Sequence, residues 1–213
     1  NNPDVLFDKK ILQKGAKIVK EVNREVAVLV GINPAARTTC VKPSGNASVL
    51  LQTASGIHAE HSTMYIRNVQ MTKDSEVTQA IQKANPYMVE DSVWSATNSD
   101  VVVSFPIIPK KGSYVKEDLI GVDHLEKVKL VQQHWVNAGT NEELCADKGV
   151  RHNVSNTILV DDWHEVEQYV YKNRHSFAGI SFLSMTGDKD FNQAPNTSVI
   201  SAKEMVKKYG TSA

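Results

Sequence analysis

The segment Lys42-Pro43-Ser44-Gly45-Asn46-Ala47-Ser48 holds the residue types of an anion-binding turn. Proline stiffens the chain, glycine lets another group come close, and a loop that opens into a helical turn leaves backbone N–H groups unpaired and facing outward. The hydroxyls of Ser44 and Ser48 stand beside them. A phosphate suits such a place. An ordinary turn with a serine cap would use the same residues, so the local pattern leaves both readings open.

Ser55-Gly56-Ile57-His58, with His61 three positions on, offers an imidazole pair that would share a face if the segment were helical. No further ligand accompanies them at metal spacing, and zinc wants three or four, so satisfied loop histidines are the expectation and no metal is assigned. His152-Asn153-Val154-Ser155 places polar side chains where a parallel strand usually turns apolar. They read as loop caps or as the polar wall of a ligand site. His134, Trp135, His164 and His175 sit on or beside helices and suit packing. Cys40 and Cys145 have no metal-spaced neighbours, and two buried, reduced thiols are expected. The chain lacks the signatures of serine hydrolases, P-loop nucleotidases, zinc proteases and dithiol oxidoreductases.

Several elements must position these groups. Apolar residues at Ile11, Leu12, Val19, Val22, Val26 and Val30 predict an amphipathic helix over 8–30, stopped by Gly31 and Pro34. Thr38 to Val41 predicts a short strand feeding the Pro43 turn, and Met64 to Met71 alternates as a second. Asp74 and Ser75 cap a short helix through Lys83. Asp100 to Ile108 is an almost unbroken apolar run, as a strand covered on both faces requires. Leu125, Val128, Val131 and Trp135 trace a helix closed by Gly139. A strand over 153–160, a helix over 162–175 and a strand over 178–183 complete the order. Strands alternating with helices predict an α/β fold with a parallel or mixed sheet, open or part of a barrel, and no composition break divides the chain into domains.

The 213 residues suffice for a substantial core, and 24 basic against 24 acidic residues argue against a nucleic-acid partner. The longest apolar runs are too short to span a bilayer and no targeting signal is visible, so a cytoplasmic protein without a membrane partner is expected.

Five motifs taken in order resemble one family. They are Arg37 to Gly45, Ser55 to His58 with Ser62, His152 to Ser155, Ala178 to Leu183, and Gln193-Ala194-Pro195. Together they look like the adenosylcobalamin-dependent (class II) ribonucleotide reductases of the monomeric triphosphate type, over about residues 8–209. The resemblance implies an α/β fold, a single domain forming roughly half of a ten-stranded α/β barrel from the C-terminal part of the catalytic unit. It also implies a substrate phosphate site at Pro43, Ser44, Gly45, Asn46, Ala47 and Ser48. Gly56, Ile57 and His58 would approach the adenosylcobalamin cofactor, and a ribonucleoside triphosphate would be the substrate. Departures from the family pattern are Asn46 in place of Thr, Ala54 in place of Ser, Ala59 and Ser184 in place of Pro, and a polar Asn156 at an apolar position.

The family's chemistry, as the resemblance implies, needs a thiyl-forming Cys, a reducing Cys pair, a nearby carboxylate and a reloading Cys pair in the tail. Cys40 and Cys145 match none of these, so no catalytic residue is assigned. The radical loop is expected before residue 1, and this chain alone is expected to be inactive. Its partner would be the missing N-terminal reductase segment or another copy covering the open strand edges. A non-catalytic nucleotide-binding or assembly module derived from a reductase barrel is the alternative. The glycyl-radical and iron-dependent reductase classes are a third reading.

Overall fold

The structure is a computed structural model that describes residues 2–185, 191–199 and 201–210. Its helices are α1 (Pro3–Leu6), α2 (Lys9–Val30), α3 (Gly45–Leu50), α4 (Glu76–Ala84), α5 (Gly121–Val131), α6 (Trp163–Asn173) and α7 (Ala202–Tyr209). Its strands are β1 (Tyr65–Thr72), β2 (Val89–Asp91), β3 (Asp100–Ile107), β4 (Ile158–Val160), β5 (Phe182–Ser184) and β6 (Asn196–Ser198). They fall into two compact units, Asn1–Ala59 with Lys111–Gly187 and Glu60–Lys110 with Asp188–Ala213. Among the described residues no helix is long and apolar enough to cross a membrane.

The first unit is helical around a small parallel sheet. Asp8 accepts the Ile11 N–H to start α2, and Gly31, at φ 72°, ends it in the left-handed conformation that glycine favours. The inward face of α2 runs through Ala16 and Ala27 with Leu12 half-buried; Ile11, Val22, Val26 and Val30 are exposed, contrary to the face expected from the sequence. Small residues let the helix sit close, and that choice of face leaves the larger apolar side chains outside. The core joins Leu125, Val128, Val131 and Val136 with Val154, Ile158, Val160 and Val166. Asp162 caps α6 by accepting the N–H groups of His164 and Glu165.

β4 and β5 pair in parallel across α6, a β-α-β arrangement of the kind the alternating pattern predicts. The expected strand over 38–41 is reduced to a parallel bridge between Val41 and Val154 and an antiparallel one between Arg37 and Thr140. Of the strand expected over 153–160, only Ile158–Val160 forms a ladder. Asn156 explains the polar departure there. Its side-chain NH2 donates to the carbonyls of Val154 and Gly179, and its oxygen accepts the Ser181 N–H, so one amide joins three backbone sites that an apolar residue would leave unpaired.

The second unit is an antiparallel sheet in the order β2-β3-β1-β6. Val101, Val102, Val103 and Ser104 are all buried, so the apolar run is covered on both faces as expected, but its ladders are antiparallel. Ile66 and Met205 of α7 form the centre. The Gln193-Ala194-Pro195 motif ties the sheet together. The Gln193 amide donates to the Asp91 carbonyl at 2.8 Å, the Asn68 amide donates to the Ala194 carbonyl at 2.7 Å, and the Asn68 N–H donates to the Pro195 carbonyl at 2.9 Å.

Candidate functional site

α3 begins at Gly45, and Ser44 stands at its N-cap in an extended conformation. The Ser44 hydroxyl does not cap the helix, and its N–H donates instead to Ser55 Oγ at 2.8 Å. The Ser48 hydroxyl turns back to the carbonyls of Ser44 and Gly45. The first-turn N–H groups of Gly45, Asn46 and Ala47 therefore have no partner within the helix, and all three residues are exposed. A Cβ built on Gly45 would meet nothing within 4 Å, so the approach to this turn is open.

Two strands of support lead into it. In the first, α5 runs on into a π-helical turn over Gln132–Asn137. That turn lets the buried Gln132 amide donate to the His152 carbonyl at 3.0 Å and accept the Val154 N–H at 3.3 Å. Thr39 donates to the Trp135 carbonyl at 2.8 Å, Trp135 Nε1 donates to the Cys40 carbonyl at 3.1 Å, and His152 Nδ1 bonds the Thr39 carbonyl. Gly139 does close this helix, but for want of space: a Cβ there would lie 2.0 Å from Thr39 Oγ1. Beyond Val41, Lys42 Nζ donates to Asn153 Oδ1 at 2.6 Å, which keeps a cation beside the turn.

The second support is the 55–58 loop. Gly56 has φ 63°, and a Cβ there would press at 3.2 Å on the Lys42 carbonyl and the Pro43 nitrogen. His58 Nε2 accepts the Thr157 N–H at 3.1 Å, so its proton lies on Nδ1, which donates to the Ser55 carbonyl at 2.9 Å. His124 of α5 is buried and donates from Nε2 to the Ile57 carbonyl at 3.1 Å. Burial, with a smaller contribution from His58, pushes its imidazole down to about 4, so it is neutral at pH 7. The sequence reading passed over His124. The signal was present, since position 124 shares the inward face of α5 with Val128 and Val131.

The turn and the loop border a cavity of about 300 Å³ lined by Ser44, Ala47 and Ser48 on one side and Gly56, Ile57 and His58 on another. Phe7 and Tyr114, with parallel rings 6.2 Å apart, stand on a further wall beside Ser113. Ser44, Ala47 and Ser48 of the first expected segment and all three residues of the second thus line one cavity, whereas Pro43, Gly45 and Asn46 do not, and in it the helical turn adjoins apolar and aromatic surface. A phosphorylated organic molecule has that character.

His58 and His61 belong to different units, and His61 packs on Tyr65 with ring centroids 5.5 Å apart. Tyr65 donates to Glu60 and receives a hydrogen bond from Arg67, both at 3.0 Å. Burial and then the Glu60 carboxylate push its phenol up to about 12. Among the described residues no group of three or more His, Cys, Asp or Glu could hold a metal ion. Cys145 is buried and Cys40 is exposed, because the 38–41 segment turns the Cys40 side chain outward; both are free thiols.

No protein-family model matches the chain. The chain is 26% identical over 186 residues to a probable adenosylcobalamin-dependent ribonucleoside-triphosphate reductase of Dictyostelium discoideum, covering 85% of the chain and 22% of that relative. It is 25% identical to an adenosylcobalamin-dependent ribonucleoside-triphosphate reductase of Euglena gracilis, covering 86% of the chain and 24% of the relative. The reductase of that name from Levilactobacillus brevis is 24% identical over 86% of the chain. The chain spans about a quarter of the length of these relatives. Among solved structures, a B12-dependent (class II) ribonucleotide reductase matches with a TM-score of 0.75 and 20% identity, over 94% of this chain and 26% of that one. The chain has the fold of that part of the reductase.

Proposed function

We propose that this chain is a portion of an adenosylcobalamin-dependent ribonucleoside-triphosphate reductase and that it supplies the site for the substrate's phosphates. The observation that carries the reading is the open first turn of α3, where the N–H groups of Gly45, Asn46 and Ala47 have no partner among the described residues and the usual serine cap is withheld. Pro43 and Ser44 lead the chain in, Ser48 closes the turn with its hydroxyl, and Lys42 adds positive charge. The parallel alignment of the Val41, β4 and β5 segments under α5 and α6 supports placing them in one stretch of a ten-stranded α/β barrel, with this chain as roughly half of it.

Radical ribose reduction requires a hydrogen-abstracting thiol and a dithiol that gives two electrons. With only Cys40 and Cys145, this chain alone does not turn over, and it acts together with a segment that carries the catalytic cysteines. α2 supports such a partner. Ile11, Ile18, Val22 and Leu29 are all exposed and fall on one side of the helix, opposite the face that carries the buried Ala16 and Ala27. The free thiols agree with a cytoplasmic location.

For adenosylcobalamin, Gly56, Ile57 and His58 offer surface and no ligand bond. Both His58 ring nitrogens are engaged, Ile57 is buried with its carbonyl taken, and Gly56 has no side chain. These residues do not fit as ligands of the cobalt; their place in this reading is the cavity wall that faces a bound group.

Calorimetric titration with a ribonucleoside triphosphate tests the reading, comparing the unaltered chain with Gly45→Val and Ser44→Ala. Saturable binding lost in Gly45→Val and weakened in Ser44→Ala is the expected result. A Cβ at 45 meets nothing within 4 Å in the protein, so the effect of the added side chain is expected on the ligand. Absence of binding at millimolar nucleotide would overturn the phosphate assignment for the isolated chain. Deoxyribonucleotide formation without a cysteine-bearing partner would overturn the partner requirement.

A further inference from the structure

We propose that His124 is a positioning residue for the phosphate-binding turn, holding the 55–58 loop so that Ser55, and through it Ser44, keeps the first turn of α3 open to a triphosphate. The inference rests on the phosphate reading of that turn. The path is continuous. His124 Nε2–H holds the Ile57 carbonyl at 3.1 Å, and His58 beside it holds the Ser55 carbonyl at 2.9 Å. Ser55 Oγ then accepts the Ser44 N–H at 2.8 Å and donates to the Ser44 carbonyl at 3.2 Å. The His58 and His124 rings meet edge to face at 6.2 Å, so the two imidazoles brace one another.

An imidazole is a costly way to fill this position. The other buried side chains of α5 are Leu125, Val128 and Val131, and residue 124 is 3% exposed. A leucine there would gain burial energy without desolvating a polar ring. What the ring supplies is one donor aimed at one carbonyl of a loop with a positive-φ glycine, at the point where that loop crosses Lys42 and Pro43. Without it, the Ile57 carbonyl would be buried and unpaired, and the loop would have to move to reach another donor. Moving the loop releases Ser55 from Ser44. With its backbone N–H and carbonyl no longer held by Ser55, Ser44 could then turn so that its hydroxyl caps α3 and occupies the N–H groups that a phosphate needs.

The test uses the full chain, with inorganic triphosphate as the calorimetric probe and hydrogen exchange at the Ser44 amide as a readout that needs no ligand. His124→Phe keeps a ring and removes the donor; His124→Gln keeps a donor; Val131→Ala destabilises the same helix without removing the hydrogen bond to the loop. Expected are about tenfold weaker triphosphate binding and about tenfold faster Ser44 exchange in His124→Phe, recovery of most of both in His124→Gln, and no change of either in Val131→Ala beyond its loss of stability. If His124→Phe does not fold, His124→Asn, too short to reach the Ile57 carbonyl, takes its place.

Unchanged Ser44 exchange in the donor-less variant, or an equal loss in Val131→Ala, would overturn the positioning role. Failure of the unaltered chain to bind triphosphate would count against the phosphate reading alone. In that event the Ser44 exchange still decides whether His124 holds the loop.

Discussion

The two units are held together by different means. The antiparallel sheet is a ladder, with β1 and β3 in register over eight residue pairs, and no single rung decides its shape. The unit that carries the Pro43–Ser48 turn has strands of only three residues, and its segments are joined by individual side chains: Thr39, Gln132, Trp135, His152, Asn156 and His124. A ladder shares its stability among equivalent bonds. A set of ties makes particular residues irreplaceable, and it lets the backbone around a ligand site take a form that regular structure would not allow.

The contrast is tested hardest at Gly139. With Thr39 Oγ1 2.0 Å from any Cβ there, Gly139→Ala should cost more than about 3 kcal/mol in urea denaturation, because Thr39 must leave the Trp135 carbonyl. Val69→Ala, on the open part of β1, should cost about 1 kcal/mol or less. Equal costs would remove the distinction between ladder and ties.

Acid should find the first unit. The His124 pKa is lowered in the fold from 6.5 to about 4, so between those values the unfolded chain binds the extra proton and stability falls as pH falls, by up to about 3 kcal/mol. Urea midpoints at pH 7 and pH 4 would show this, and His124→Gln should flatten the slope.

Alkali should find the second unit. Tyr65 is 2% exposed and its phenol is raised from 10 to about 12, so stability is complete below pH 10 and is lost as pH rises through 12. The loss should be up to about 3 kcal/mol, followed by the tyrosinate absorbance, and Tyr65→Phe should abolish it. The smallest effect belongs to Gly45→Ala, expected to stay within about 0.5 kcal/mol because its Cβ points into open space.

The sequence carried the parts of this molecule that rest on periodicity. The extents of the helices over 9–30, 121–131 and 163–173 and of the strands over 65–72 and 100–107 follow the apolar pattern, although the first of these helices buries Ala16 and Ala27 and leaves its larger apolar residues outside. It misled where long-range pairing decides. The 38–41 and 153–157 segments look like strands residue by residue, yet side-chain ties take the place of most of their ladder. Local chemistry was legible in the Pro43 to Ser48 turn, because proline, glycine and serine leave a local mark. The exposure of Cys40 and the tether from His124 were not seen, since both depend on residues far along the chain. The division into two units left no trace in composition, because the chain passes out of the first unit after Ala59 and back into it at Lys111 through segments of ordinary make-up.

The tie between His152 and the Thr39 carbonyl joins residues 113 positions apart, and that span matters during synthesis. At about 5 to 20 residues per second, the Pro43–Ser48 turn leaves the ribosome roughly 6 to 20 s before its support exists. The intervening second unit can meanwhile close its main β1–β3 pairing, whereas the first must wait for its late half and close a long loop to meet it. The Pro43–Ser48 turn therefore takes shape long after it is synthesised, and a chaperone that shields 38–58 in that interval would raise the yield of competent protein.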